Sequence, residues 1–195
     1  MMLRVFAGLI VMVAAAVQSF AIAPQEKTTA EAFLDITGKT HYPLEVKDAK
    51  AVVLIFVTTD CPISNYYTSE INALVKDYAG KPVRFFVIHV DPDLKPADAA
   101  AHAKTYGLDC TILIDAKHRL VKTAGVTITP EAAVLTPDGK IVYRGRIDDV
   151  YAELGKRRIE PDQRDLREAL SQVLAGQAVK VAETKAVGCP IPKLP

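Results

Sequence analysis

The sequence lacks an excess of charge of one sign. Its 195 residues include 24 Lys and Arg against 23 Asp and Glu, and the formal net charge is +1. Proteins that bind nucleic acid or anionic membrane surfaces usually carry a positive patch, so neither partner is expected here. The short basic blocks at Lys156–Arg158 and at Arg144 and Arg146 are typical of solvated surface.

Repeats, low-complexity tracts and coiled-coil heptads are also missing, and the chain has only three cysteines. An ordinary mixture of 50% hydrophobic and 24% charged residues predicts one globular domain with a single core. Because the number of cysteines is odd, at least one of Cys61, Cys110 and Cys189 stays outside an internal disulfide, which suits a free reactive thiol. The N-terminal segment contains none of them, which argues against a lipid-anchored protein.

The first 23 residues have the pattern of a secretory signal peptide. Arg4 makes the N-terminus positive, residues 5–17 are apolar, and Ser19 to Ala23 offer small-x-small cleavage sites. The apolar run is shorter than the roughly 20 residues of a membrane-spanning helix, which favours cleavage over an uncleaved anchor. We expect a periplasmic or secreted protein without stable membrane insertion, with one domain over residues 24–176 and a tail over residues 177–195.

Strands and helices alternate along the mature chain. Short apolar runs rich in β-branched residues predict buried strands, and helical spacing of apolar residues predicts helices. The strands are expected at 33–46 (a pair), 51–57, 83–90, 111–114, 131–135 and 141–147, and the helices after Cys61, at 96–106, at 118–124 and from a cap at Asp162 to Leu174. This order predicts an α/β fold with a mixed central sheet flanked by helices on both faces.

Cys61 is the residue to which the sequence assigns chemistry. It follows a predicted buried strand, and Pro62 fits the first position of the next helix. A sulfur at that position faces backbone N–H groups and the positive end of the helix dipole, which favour the nucleophilic thiolate. The adjacent negative charge of Asp60 opposes this effect, so only a modest lowering of the thiol pKa is expected. The alternative is a buried structural cysteine.

The residues around Cys61 and Pro130 resemble those of the thioredoxin family. Residues 52–62 resemble the buried strand that leads to the first redox cysteine, and Thr129-Pro130 resembles the cis-proline segment that faces it. The resemblance covers residues 33–174 and implies a thioredoxin-like fold with a cis bond before Pro130.

The same resemblance implies how substrate would bind. Pro130 would shape a substrate groove, and Thr129 and Pro62 would contact the substrate. The expected substrates are protein or small-molecule disulfides or peroxides, with an external thiol as reductant, and no cofactor is expected.

One position departs from this pattern. Ser64 stands where the second redox cysteine belongs, and a serine can hydrogen-bond a thiolate but cannot resolve a mixed disulfide. Cys189 is the candidate partner, because the roughly 12 residues after Gly176 can reach about 40 Å when extended. Cys110 opens a predicted strand, which is more typical of a core residue, and it remains the alternative partner.

Peroxiredoxins are a second resemblance. Thr58 matches the threonine three residues before their reactive cysteine, but Leu54 replaces their proline, and Arg144 and Arg146 lie too far along to match their arginine. As a whole the chain resembles exported peroxiredoxin-like redoxins. That similarity rests on three segments, 60–65, 144–149 and 188–189.

Three functions follow from these resemblances. The first is a thiol–disulfide oxidoreductase with Cys61 as nucleophile, and the alternatives are a thiol peroxidase and a non-catalytic module that holds a partner in the groove. A copper-binding branch of the fold pairs two cysteines four residues apart with a distal histidine. Asn65 occupies the second of those cysteine positions here, so no metal site is expected and His89 is interpreted as structural.

Overall fold

The computed structural model describes residues 31–194, so the predicted signal peptide lies outside the described residues. In chain order the elements are β1 (Phe33–Leu34), β2 (Thr40–His41), β3 (Ala51–Val57), α1 (Pro62–Tyr66), α2 (Thr68–Asp77), β4 (Val83–His89), α3 (Pro96–Tyr106), β5 (Thr111–Ile114), α4 (Arg119–Ala124), β6 (Ile128–Thr129), β7 (Glu131–Leu135), β8 (Ile141–Gly145), β9 (Tyr151–Glu153), β10 (Lys156–Arg157), α5 (Asp165–Leu174) and β11 (Cys189–Pro190).

The central sheet has five strands in the spatial order β5-β4-β3-β7-β8. Strands β3, β4 and β5 run parallel, whereas β7 is antiparallel to β3 and β8 is antiparallel to β7. The parallel pairs need helical crossovers, and the tight turn before β8 gives the antiparallel pair. The predicted mixed sheet is therefore confirmed.

Strand β3 lies at the centre of the sheet, and all seven of its residues are buried. Because side chains alternate along a strand, its residues divide between two core clusters, one on each face. Helices α2 and α5 contribute to one cluster and α4 to the other, which confirms helices on both faces. The main helical contributors are Ile71, Leu74, Leu166 and Leu170 on the first face and Leu120 and Ala124 on the second.

The predicted cap of the last helix is wrong. Helix α5 begins at Asp165, three residues after Asp162, and the side chain of its capping residue Arg164 makes no capping hydrogen bond within the described chain. The reason is that other contacts hold the segment before α5. The backbone N–H of Gln163 donates to the Asp149 carboxylate at 2.9 Å, and Arg158 Nε pairs with Asp162 at 3.1 Å.

Two other elements differ from the predicted ones. The helix after Cys61 is divided at Tyr67, so that a short helix α1 precedes α2, and Tyr67 is both the last cap of α1 and the first cap of α2. Strand β8 ends at Gly145, whose φ of 148° turns the chain out of the strand. The next backbone N–H, of Arg146, then donates to Thr184 Oγ1 at 3.0 Å instead of to a neighbouring strand.

Residues 180–191 cross the domain as an ordered strap. At its first attachment the backbone N–H of Arg144 donates to the Ala182 carbonyl at 2.9 Å, and the N–H of Thr184 donates to the Arg144 carbonyl at 3.0 Å. A Cβ on Gly145 would lie 2.4 Å from the Thr184 carbonyl oxygen, so the close approach needs a glycine. At its second attachment β11 pairs antiparallel with β6.

No helix within residues 31–194 is long and apolar enough to cross a membrane.

Candidate functional site

Cys61 is the residue at the junction of β3 and α1. Its extended backbone makes it the N-cap of α1, and the backbone N–H of Ser64 donates to its sulfur at 3.5 Å. Pro62 occupies the first turn, where its missing N–H costs no helical hydrogen bond. The Cys61 residue is 0% exposed, whereas Pro62 lies at the surface. The local sequence thus places a buried sulfur at the start of a helix.

The Thr129-Pro130 segment faces this sulfur. The peptide bond before Pro130 is cis, as the resemblance implied. The Thr129 carbonyl oxygen accepts a hydrogen bond from the Cys61 thiol, with 3.2 Å between Sγ and O. The buried carboxylate of Glu131 accepts from the backbone N–H groups of residues 127–128 at 2.9 and 3.2 Å. Glu131 therefore fixes the loop that presents Thr129 to the sulfur.

The strap brings Cys189 to the same sulfur. Cys189 lies directly opposite Thr129 in the antiparallel β6–β11 pair, and the N–H of Ile191 donates to a neighbouring carbonyl of the β6 segment at 3.0 Å. The Thr129 carbonyl oxygen lies 3.2 Å from Cys61 Sγ, so this register places Cys189 beside the same sulfur. A Cβ on Gly188 would lie 2.0 Å from the Thr129 carbonyl oxygen, so a glycine is needed for this approach.

Hydrogen bonding and burial act in opposite directions on Cys61. Burial raises the pKa of its thiol, but hydrogen bonds from the Cys189 thiol, from the Ser64 N–H and hydroxyl, and from the Cys189 N–H hold the pKa below its usual value. Ser64 Oγ is buried and has no hydrogen-bond partner within residues 31–194 that meets the usual distance and angle limits. Stabilising the thiolate is thus the role open to the serine that replaces the second redox cysteine.

Cys189 shows the opposite shift. Burial, the hydrogen bond that it donates to Cys61, and the negative charges of Cys61 and Asp60 raise the pKa of Cys189 to about 11. The two pKa values shift in opposite directions, so Cys61 loses its proton more readily than Cys189 does. The negative charge of Asp60 thus acts on Cys189 in this arrangement.

Cys110, the alternative partner, lies in a different environment. It directly precedes the edge strand β5 and packs against the core cluster that also contains Cys61. Burial, together with the neighbouring Asp109 charge, raises the pKa of the Cys110 thiol to about 12. Because the thiolate is the reactive form, Cys110 is the poorer nucleophile at neutral pH.

A group of aromatic and amide side chains beside the site was missed by sequence reasoning. Asn65 Oδ1 lies 2.8 Å from His102 Nε2, and its amide donates to the Thr59 carbonyl at 3.0 Å and to Tyr106 Oη at 3.1 Å. These contacts join α1 to α3 and hold the short segment between β3 and Cys61. The helical spacing of His102 and Tyr106 is the only signal for this arrangement in the sequence.

His89 lies at the end of β4, in register with Val57. Neither of its ring nitrogens has a hydrogen-bond partner within the described chain, and its ring packs edge-on against His102 at 5.1 Å between centroids. Burial lowers the pKa of His89 to about 4, so the ring is neutral at physiological pH. Among residues 31–194 there is no group of three or more His, Cys, Asp or Glu side chains placed to hold a metal ion.

The two arginines considered for a peroxide site are held elsewhere. Arg144 donates to the Gly125 carbonyl at 2.9 Å and pairs with Glu183 at 2.6 Å. Arg146 Nε pairs with the carboxylate of Asp165 at 2.7 Å. Both guanidinium groups therefore stabilise the strap and the base of α5.

Comparison with known proteins assigns the family. Residues 17–154 match the Redoxin family model, so this chain belongs to the redoxin family. The match ends before the strap. A comparison with curated protein sequences gave no significant match.

Solved structures show the same fold. A hypothetical protein from Sinorhizobium meliloti is 26% identical with a TM-score of 0.71, covering 83% of this chain and 89% of that one. An uncharacterized conserved protein from Geobacillus kaustophilus is also 26% identical, with a TM-score of 0.74 and coverage of 85% and 90%. A secreted disulfide oxidoreductase from Mycobacterium tuberculosis is 18% identical, with a TM-score of 0.51 and coverage of 75% and 96%. The protein is thus a redoxin with a thioredoxin-like fold.

The hydrogen bond from Cys189 predicts how the Cys61 thiol titrates. In a Cys110→Ala background, thiolate absorbance near 240 nm should rise with a midpoint below the free-thiol value of roughly 8.5. Replacing Cys189 with Ala removes one donor and should move the midpoint upward. Since the pKa of Cys61 is lowered, its thiolate fraction at a given pH exceeds that of a free thiol, and the thiolate is lost as the pH falls through the midpoint. A midpoint at or above the free value, or one unchanged by Cys189→Ala, would contradict this geometry.

Proposed function

We propose that this redoxin is an exported thiol–disulfide oxidoreductase whose redox pair is Cys61 and Cys189. The observation that carries the proposal is the register of β6 and β11, which places Cys189 opposite Thr129, whose carbonyl oxygen lies 3.2 Å from Cys61 Sγ. The pair supplies the second sulfur that the Cys-Pro-Ile-Ser segment lacks. One thiolate beside one protonated thiol is the state from which a disulfide forms by exchange.

The reaction balances without a cofactor. An external disulfide accepts two electrons and leaves as one thiol and one thiolate, while the Cys61 thiolate and the Cys189 thiol become an internal disulfide. Cys61 supplies the nucleophilic thiolate of the pair, and the proton of Cys189 goes to a departing external sulfur. An external thiol then reverses the exchange and restores the reduced pair. Thr129, Pro130, Ser64 and Pro62 form the walls around these sulfurs.

Export rests on the signal-peptide pattern of residues 1–23. An oxidising compartment suits a protein that works through a disulfide. The Mycobacterium tuberculosis structure with this fold is described as a secreted disulfide oxidoreductase, which agrees with the same location.

A non-catalytic partner-binding module is less well supported, because the strap already occupies the hydrogen-bonding edge of β6. A partner peptide would have to displace β11 to pair there. Turnover with a small disulfide separates the two functions.

Turnover should depend on both cysteines of the pair. We expect the wild type to reduce bis(2-hydroxyethyl) disulfide with glutathione as the thiol, measured by NADPH consumption through glutathione reductase. Cys61→Ser and Cys189→Ser should both fall to the rate without protein, because each leaves one sulfur. Cys110→Ser is the matched control and should keep the wild-type rate. Full turnover by Cys189→Ser would show that Cys61 works alone and would contradict the proposed pair.

Peroxide should be a poor substrate. Thr58, which matches the peroxiredoxin threonine, lies near the site, with 3.4 Å between its hydroxyl oxygen and that of Thr129. Arg144 and Arg146, the arginines considered for a peroxide site, are both engaged in ion pairs. A peroxidase needs donors that stabilise charge on the breaking O–O bond, and losing one such donor costs a factor of about 10² to 10³. Stopped-flow mixing with hydrogen peroxide should give a rate near that of free cysteine, with Cys61→Ser as the blank. A rate orders of magnitude faster would make the protein a peroxidase.

A further inference from the structure

We propose that external sulfur enters this site at Cys189, and that Cys61 is the inner sulfur that exchanges only with Cys189. This inference rests on the proposed function and assigns a separate role to each member of the pair. The sequence predicts that Cys61, the first cysteine after the buried strand, meets the substrate. The accessible surface of the folded site points to the sulfur on the strap.

The burial of the two cysteines differs. Cys61 is 0% exposed, whereas Cys189 is partly exposed and is followed by exposed Pro190. Thiol exchange requires the incoming sulfur to approach in line with the bond that breaks. The buried Cys61 offers an external sulfur no such approach in the folded site, whereas the partly exposed Cys189 can be reached from solvent.

Exposing Cys61 would require opening the strap at β6. This means breaking the β6–β11 pairing, including the hydrogen bond from the N–H of Ile191 at 3.0 Å, and separating Gly188 from its close contact with Thr129. The first attachment, at Arg144 and Thr184, keeps the strap close even when the second opens. An opening free energy of only about 1.4 kcal/mol slows attack at the covered sulfur about tenfold.

Leaving-group chemistry favours the same direction. When an external thiolate attacks the Cys189 sulfur of the internal disulfide, the S–S bond breaks and Cys61 departs as a thiolate. Cys189 then has no thiol proton to donate, but the N–H and hydroxyl of Ser64 and the N–H of Cys189 remain as donors that lower the pKa of Cys61, and a thiol of lower pKa leaves faster. Attack on Cys61 would instead expel Cys189, whose pKa is raised.

The complete cycle then has two exchanges. In the oxidising direction, an external disulfide transfers one sulfur to Cys189 and releases the other as a thiol. The Cys61 thiolate attacks the Cys189 sulfur, forms the internal disulfide and releases the second external thiol. Re-reduction runs through the same mixed disulfide on Cys189, and two electrons pass in each direction.

Mapping the mixed disulfide tests the assignment. The oxidised protein in a Cys110→Ala background is mixed with glutathione, quenched with acid within the first turnover, and digested for mass-spectrometric mapping. We expect the glutathionyl group on Cys189 and a free thiol on Cys61. Glutathione on Cys61 would overturn this inference and leave the proposed redox pair intact. An oxidised sample without a Cys61–Cys189 disulfide would overturn the proposed function, and the inference with it.

Single-cysteine variants give an independent readout. With glutathione disulfide as the probe, Cys61→Ser/Cys110→Ala, which retains Cys189, should be glutathionylated at least about tenfold faster than Cys189→Ser/Cys110→Ala, which retains Cys61. The thiol pKa values alone favour the opposite order, so equal or reversed rates would refute the role of burial.

Loosening the strap should redirect the reaction. Gly188→Ala places a Cβ against the Thr129 carbonyl oxygen and should loosen the strap. When this change is added to the variant that retains only Cys61, the rate of glutathionylation at Cys61 should rise toward that of an exposed thiol. Lys185→Ala is the control, because Lys185 is an exposed residue of the same strap. No acceleration by Gly188→Ala relative to this control would also refute the inference.

Discussion

The antiparallel pairing of Cys189 with Thr129 is the contact on which the site depends. It places the Cys189 thiol and N–H against the sulfur of Cys61, and Gly188 permits it because any side chain there would meet the Thr129 carbonyl. Since successive side chains of a strand point to opposite faces, a slip of one residue would turn the Cys189 sulfur away. The strap thereby brings a second cysteine beside Cys61.

The domain and the strap contribute different properties to this site. The domain provides the helix start at Cys61, the Ser64 donors, and the cis-proline loop held by Glu131. These features define where a thiolate is stable. The strap supplies the second sulfur and the proton, and it also covers the first sulfur. In the proposed cycle chemistry and access are coupled, because the strap that supplies Cys189 is also the segment that covers Cys61.

Much of the domain could be predicted from local patterns. The apolar run of β3 and the Thr-Pro pair before β7 mark the fold because each depends on neighbours in the chain. The Asp162 cap was wrong because a long-range contact, the tether to Asp149, overrides local capping preference. The course of the strap could not be derived. Residues 180–191 have no periodic pattern, and their attachments depend on glycines at positions 145 and 188 whose partners lie far along the chain. The length of the tail predicts only that Cys189 can reach Cys61, and the register of β11 on β6 places it there.

The central claim, that Cys61 and Cys189 form the redox couple, is tested most directly by carbon-13 NMR of the cysteine Cβ atoms. Spectra of the reduced protein are compared with spectra after one equivalent of diamide, because the Cβ shift separates thiols from disulfides. The account predicts that the Cys61 and Cys189 signals move together to the disulfide range while the Cys110 signal keeps its thiol shift. Movement of Cys110 together with Cys61, with Cys189 still a thiol, would contradict it.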